Sequence, residues 1–293
     1  MIVTWSSGFV GMRFSADYAP VYQVILWRFI ALTVGLLPFV AREISRAPRS
    51  LLLRQSLIGT LAMAGYLAGV ARGIQLGVPA GLAALIADML PLGVVIISTC
   101  VFGERSPSHV WAGLAFGLAG TLVVCRDAAA LGKAPAWAYC LPVAGMLSLA
   151  VATMWQQRSS ARPGTLSPLS TLWLQSLVSC PVFLWLQASQ GDVVPTPTIG
   201  FITSVAWTTV LATLGGWGLY WVCLRRSSSA RVTSVLFLSP PVTLVWAWAM
   251  FDEPLSWLMA LGTAISGLGI ILIVTPDSLS RLRGAAVRTR LRE

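Results

Sequence analysis

The sequence predicts an all-α membrane protein: ten transmembrane helices arranged as two inverted repeats of five, with the first helix short. Three observations predict it. Hydrophobic residues make up 56% of the 293 residues and charged ones only 10%, at a mean hydropathy of +0.79, whereas a soluble domain carries about 25% charge. The apolar residues are gathered into runs near the ~20 residues that cross a bilayer as a helix, without the alternation of a membrane β-barrel. Features of the first half recur in the second at a constant offset.

The apolar segments are 1–12, 21–40, 52–74, 78–102, 109–125, 136–155, 168–189, 199–224, 230–251 and 255–275, separated by turn-forming or charged residues. The first, MIVTWSSGFVGM, supplies about 18 Å at 1.5 Å per residue, short of a ~30 Å hydrocarbon core. Either the start codon is placed too late, which is the favoured reading, or this helix is broken and buried by its neighbours. No basic leader precedes it, which argues against a cleaved signal peptide. The second segment contains Arg28 (VILWRFIALTVG), and the third carries Tyr66 and, at its outer end, Arg72. The fourth contains GLAALIADMLPLGVVIIS, with Asp88 and Pro91. The eighth holds Trp217, and the ninth Phe237, Pro240 and Pro241.

The net charge is +10, from 20 Lys and Arg against 10 Asp and Glu. Fifteen of the basic residues fall in segments that an N-in, ten-span topology places in the cytoplasm, and four fall outside. That asymmetry puts both termini in the cytoplasm of an inner (plasma) membrane protein. The basic residues belong to loops, so nucleic acid is not an expected partner. The expected partners are the lipid bilayer and a small-molecule substrate, and a homodimer is open. The tail, 276–293, is a topology anchor or touches anionic lipid. Five scattered cysteines, none in a CxxC, read as small packing residues. His109 is the sole histidine, and there is no HExxH, P-loop or dinucleotide glycine motif. An enzyme, a metal site and a cofactor are therefore not expected.

At an offset of 149 residues, LPLGVVIISTCVFGERSPSHVWAGLAFGLAG (90–120) falls on SPPVTLVWAWAMFDEPLSWLMALGTAISGLG (239–269). Pro91 meets Pro240, Phe102 meets Phe251, Glu104 meets Glu253, Gly113 meets Gly262, Ala115 meets Ala264 and Gly120 meets Gly269. Five spans per repeat is odd, so the second copy inserts upside down. The units are 1–127, 134–275 and the tail. Inverted repeats mark secondary transporters, which bind substrate near the midplane between the halves.

The pieces WSSGF (5–9), WRF (27–29), LPLGVVIISTCVFGE (90–104), WAGLAFGLAG (111–120) and LSPPVTLVWAWAMFDEP (238–254) resemble, in their order and duplication, EamA-type carriers of the drug/metabolite transporter superfamily. The resemblance covers essentially the whole chain. It implies membrane export or exchange of small metabolites, often amino acids, by alternating access. Two features depart from it: the short first span, and Asp88 where a small or apolar residue is expected.

A carboxylate at the centre of a lipid-facing helix costs about 2.5–3.5 kcal/mol on insertion scales. Asp88 should therefore face the bundle interior, a water-filled cavity or a positive partner. Either it serves a substrate amine or a proton, or it fixes helix packing as a hydrogen-bonded carboxyl. Its repeat counterpart is Phe237, so the feature breaks the symmetry. Pro91, three residues on, is expected to loosen its helix, with Pro240 and Pro241 doing the same in the mirror helix. Arg28 serves shared fold mechanics or gating, or recognises a substrate carboxylate; pairing with Asp88 would lower the cost of both. Trp5, Tyr66, Trp217 and Phe237 either line a cavity or pack. Ser6, Ser7 and Gly8 bond substrate or a neighbouring helix. Glu104 and Glu253 read as start signals for the helices that follow. The ladders Gly113/Gly117/Gly120 and Gly262/Ser266/Gly269 serve intramolecular packing ahead of dimerisation. Two other function classes stay open: a non-transporting sensor or assembly subunit, and a lipid flippase or membrane-embedded enzyme.

Overall fold

The computed structural model describes residues 1–78, 80–104, 106–129, 134–160, 165–251, 257, 258, 260–269 and 271–273, and every regular element among them is helical. Helix α1 (Ile2–Ser15) precedes α2 (Val21–Arg46). A continuous rod joins α3 (Arg49–Gly59), a π-helical stretch Thr60–Gly65 and α4 (Tyr66–Gln75). Then come α5 (Ala80–Ala87), α6 (Leu90–Phe102) and α7 (Ser108–Ala129). A 3-10 turn, Ala136–Tyr139, leads into α8 (Cys140–Ser160), followed by α9 (Pro168–Ala188). Another rod joins α10 (Ile199–Trp207), a π-helical stretch Thr208–Trp217 and α11 (Gly218–Arg226). The helix α12 (Ser229–Ser234), a 3-10 turn Val235–Leu238 and α13 (Ser239–Phe251) follow, and a short apolar helix, α14 (Ala260–Ile273), comes last. Seven stretches among the described residues are long and apolar enough to cross a membrane. Glu253, Arg105, Lys133, Arg162 and the tail 276–293 lie outside the described residues.

Local chemistry sets the boundaries. Ala47, the residue before Pro48, is extended at ψ 139° and ends α2, because proline disfavours helical backbone in its predecessor. Ser167 caps α9 by accepting from Ser170 N at 3.2 Å, with Pro168 in the first helical position. Thr198 caps α10 in the same way, accepting from Phe201 N at 3.1 Å. Proline in the first turn does no harm, since that N–H has no helical acceptor. The same rule places the three prolines expected to loosen their spans. Pro91 is the second residue of α6, and Pro240 and Pro241 are the second and third of α13. They open helices and do not kink their interiors.

The outer surface is apolar: Phe39 is 75% exposed, Ile199 83% and Val101 68%. The interior is where the hydroxyls and amides sit. Gln175 Nε2 donates to Gln55 Oε1 (3.3 Å), Ser148 Oγ to the Leu61 carbonyl (2.8 Å) and Trp173 Nε1 to the Thr33 carbonyl (2.7 Å). This inversion suits hydrocarbon, where buried polar groups must find partners within the protein and helices gain nothing from hiding apolar surface. Among the cysteines whose side chains are described, Cys100 and Cys140 lie on the exposed surface and the half-buried Cys180 and Cys223 fit the packing role expected of them, while the side chain of Cys125 lies outside those described.

The repeat is visible as structure. The π-helical stretches Thr60–Gly65 and Thr208–Trp217 fall at corresponding positions, as do the irregular turns at residues 88–89 and Val235–Leu238. Packing is exchanged between the halves: α1 lies along Thr208–Trp217, α8 along Thr60–Gly65 and α4, and α2 along α9. Glycines let these backbones approach. A Cβ on Gly216 would stand 3.1 Å from the Thr4 carbonyl oxygen, and one on Gly145 would stand 2.8 Å from that of Tyr66. The glycine ladders meet each other within the molecule. Gly113 abuts the Gly269 carbonyl, Gly120 abuts the Gly262 carbonyl, and Ser266 Oγ donates to the Gly117 carbonyl at 3.4 Å. Contacts that rise along α7 while falling along α14 mean that the two helices run antiparallel.

Glu104 corrects an expectation. It follows the left-handed Gly103 (φ 65°) at the end of α6 and does not start α7. Its carboxylate accepts from Ser98 Oγ in the last turn of α6 and from Arg158 Nη2 of α8 at 2.6 Å. An acid at a helix C-terminus opposes the macrodipole, and Arg158 supplies the compensating charge.

Gly120→Ala should cost about 1–3 kcal/mol through overpacking, because its Cβ would strike the Gly262 carbonyl and the Ser266 backbone. Gly267→Ala, whose Cβ meets nothing within 4 Å, should leave stability unchanged. Thermal midpoints in detergent, read by size-exclusion fluorescence, compare the two.

Candidate functional site

The cavity at the centre is built from four elements. Trp5, Gly8, Phe9 and Met12 come from α1, Arg28 from α2, Tyr66 and Leu67 from α4, and Ala212 and Trp217 from the π-helical stretch. Its free volume is about 30 Å³, room for a water or two and too little for an amino acid. The exchanged packing of the two halves creates it: α1 and α4 belong to the first half, and Trp217 to the second.

Its wall is an aromatic cluster. The Trp5 ring lies 5.1 Å from Trp217, 5.2 Å from Tyr220 and 6.4 Å from Tyr66, and Tyr66 meets Trp217 edge-on at 5.8 Å. Such tilted and edge arrangements are the favoured ones for ring quadrupoles. Tyr220 and Trp221 extend the cluster, and Tyr220 OH shares a 2.6 Å hydrogen bond with Thr153 Oγ1. Both residues were missed in the sequence. The signal was there: Trp217, Tyr220, Trp221 and Leu224 have the spacing of one helical face, and all four are buried.

Arg28 is 1% exposed, and its guanidinium sits 4.8 Å from the centre of the Phe29 ring. Its Nε and Nη2 have no hydrogen-bond partner. It forms no ion pair with Asp88, so the pairing considered from the sequence does not occur. A guanidinium fork with free donors is a group that can bind an anionic oxygen pair in bidentate fashion.

Asp88 lies behind the aromatic wall in the turn between α5 and α6. There Asp88 N bonds the Ala84 carbonyl (2.8 Å), Met89 N reaches only to the Ile86 carbonyl (3.2 Å), and Pro91 has no N–H to donate. The tightening turns the Asp88 side chain toward α1. Trp5 Nε1 donates to Oδ1 at 3.3 Å, while Oδ2 is buried without a partner. Ser239, the first residue of α13, faces the carboxyl from the other half. The Ser239 hydroxyl is itself held by Ser6 Oγ at 3.3 Å. Two helix N-termini, those of α6 and α13, therefore converge on Asp88. Each helix end favours a negative charge by about 0.3–1 kcal/mol, ~2 at most. Sealing an ionised carboxylate from water without a cation costs more than that.

The other candidates lie elsewhere. Ser7 Oγ donates to the Thr4 carbonyl at 2.6 Å, and its own carbonyl accepts from Trp207 Nε1 at 3.0 Å, so it serves α1 and its contact with α10. Phe237 is buried in a separate apolar cluster with Val95, Leu114 and Ile273, its ring against Gly117. The corresponding turns of the two halves thus hold a carboxylate facing α1 in one and a ring facing α7 in the other. Arg72 is exposed, with Nη1 3.4 Å from Gln75 Oε1.

The sequence model of the EamA-like transporter family matches residues 1–126 and 136–275. The chain belongs to the EamA-like transporter family. It is a membrane transporter with the two-repeat fold of that family. A protein of Escherichia coli K12 named "Probable amino-acid metabolite efflux pump" is 27% identical over 94% of this chain and 92% of its own length. One of Streptantibioticus cattleyicolor named "Probable terminal-alkyne amino-acid exporter" is 27% identical over 99% of this chain and 95% of its own. The "Uncharacterized inner membrane transporter YedA" of E. coli K12 is 23% identical over 93% and 88%. A solved crystal structure at 19% identity superposes with a TM-score of 0.76 over 94% of this chain and 93% of that one, which shows the shared fold.

Tyr220→Phe should lower stability by about 1 kcal/mol, since it deprives the fully buried Thr153 hydroxyl of its partner. Melting in detergent, compared with Thr153→Val and the double variant, checks it. Coupling between the two positions is the expected result, and additive losses would show that the bond contributes nothing.

Proposed function

We propose that this EamA-like transporter is a ten-span carrier of the inner membrane that exports amino-acid-like metabolites by alternating access. Its two five-helix units are 1–127 and 134–275, its termini and the basic tail 276–293 are cytoplasmic, and it acts without enzymatic chemistry. The observation that carries the substrate reading is Arg28, a buried guanidinium with two unpartnered nitrogens at an aromatic-walled cavity. A carboxylate would satisfy both donors, and Trp5, Tyr66 and Trp217 would receive an apolar side chain. The exporter names of the relatives agree with that chemistry. The antiparallel crossing of α7 and α14 supports the inverted arrangement, and the excess of arginine in the segments assigned to the cytoplasm supports the orientation.

In this reading the small central cavity is a closed form. Rocking of one half against the other opens it to each side in turn, with the turns before Pro91 and before Pro240 and Pro241 as the places where backbone geometry changes. Asp88 stands one side chain behind the wall and joins the pathway through Trp5. Ser7 and Phe237 act on the pathway only through the packing of α1 and α7.

The test is counterflow in liposomes with pools of labelled amino acids. Wild type should show saturable exchange. Arg28→Lys keeps the charge but loses the planar fork, and should raise the half-saturation concentration by about tenfold, the equivalent of one charge-assisted hydrogen bond. Absence of saturable exchange in every pool would sink the reading. An unchanged half-saturation in Arg28→Lys would remove Arg28 from substrate binding.

A further inference from the structure

The carboxyl of Asp88 is not required by the fold. The second half builds the corresponding turn, Val235–Leu238, with Phe237 in that place, and opens α13 after it just as α6 opens after Asp88. Nor is Asp88 a structural ion-pair partner, for Arg28 does not reach it. It is 2% exposed, accepts a hydrogen bond from Trp5, has the Ser239 hydroxyl beside its carboxyl, and leaves Oδ2 without a partner. Facing it are Trp5 of α1, Tyr66 of α4 and Ser239 of α13, with Ser6 of α1 holding Ser239 and Tyr220 of α11 beyond the Trp5 ring. None of these carries a charge, and the Arg28 guanidinium interacts with Tyr66 without pairing with Asp88.

We infer that Asp88 is the proton-coupling residue of the carrier: it binds one proton when the cavity opens outward and releases it when the cavity opens inward, so that one proton enters for each substrate exported. The inference rests on the transport reading above and adds what drives it. Closing an ionised, unpaired carboxylate away from water is unfavourable. A proton on Oδ2 removes that charge and gives the oxygen a donor of its own. The empty carrier therefore closes with Asp88 protonated. The loaded carrier closes with Asp88 ionised, balanced by the ammonium group of the substrate. Water on the outside supplies the proton, water on the inside receives it, and no other bond forms or breaks. Trp5 ties the two events together, since its ring lines the cavity while its indole N–H holds Oδ1.

The experiment uses the full chain in liposomes loaded with a pH dye and an equimolar pool of neutral amino acids, with the membrane potential clamped by potassium and valinomycin. Neutral amino acids carry no net charge near pH 7, so proton movement reports the carrier. Wild type should acidify the lumen as substrate leaves. Asp88→Glu should keep that acidification, and Asp88→Asn should lose it even where substrate still leaves. Substrate efflux from wild type without acidification overturns the inference while leaving the transport reading standing. So does acidification coupled to substrate in Asp88→Asn. Absence of efflux from wild type overturns the transport reading, and the inference with it.

Discussion

The burial of α1 against the opposite half is the contact on which the centre of the molecule depends. Its 14 residues reach about 21 Å, less than a bilayer core. It is held by Gly216 of the π-helical stretch, which admits its backbone at Thr4 and Trp5, by Gly215, which admits the Thr4 side chain, and by Ser6, which hydrogen-bonds the first residue of α13. From that fixed position Trp5 reaches two places at once, with its ring on the cavity and its N–H on Asp88. A helix of the first half docked on its own half would leave neither the cavity nor the shielded carboxyl.

The same exchange occurs in reverse where α8 lies along Thr60–Gly65 and α4, with Gly145 against the Tyr66 carbonyl. π-helical backbone recurs at both docking sites. Wider turns shift the hydrogen-bonding register and place a side chain where the α-helical period would not. Tyr66 and Trp217, at the ends of the two stretches, both face the cavity. Symmetric scaffolding thus presents an asymmetric site: one arginine, one carboxylate, and rings from both halves.

Polar groups divide into those that complete the fold and those left incomplete. Glu43 is complete, taking hydrogen bonds from Ser167 N, Ser167 Oγ and Ser170 Oγ across the two halves. Glu104 is complete between Ser98 and Arg158. Arg28 and Asp88, both almost fully buried, are not, and Arg54 Nε and Arg225 Nε also lack a partner. The substrate and proton roles proposed above are assigned to Arg28 and Asp88 because both lie at or beside the aromatic cavity.

How much of this was legible in the sequence follows from which interactions are local. Hydropathy located the helices, because every peptide group in hydrocarbon must be bonded within its own segment. The offset of 149 located the duplication, and the spacing of Gly113, Gly117 and Gly120 marked a face built for close approach. Arg28 and Asp88 stood out as charges in apolar runs, with no pattern needed. Whether they touch, and which rings surround them, depended on contacts more than a hundred residues apart in several cases. Phe237 and Ser7 were read by depth in a segment, but depth does not say which face of a helix meets which neighbour. Tyr220 and Trp221 were passed over for the same reason. The sequence by itself determined a repeated pair of helical units with charge left inside. Only the tertiary structure decided that α1 docks on the opposite half, because that choice rests on glycines that remove steric bulk, and an absent side chain names no partner.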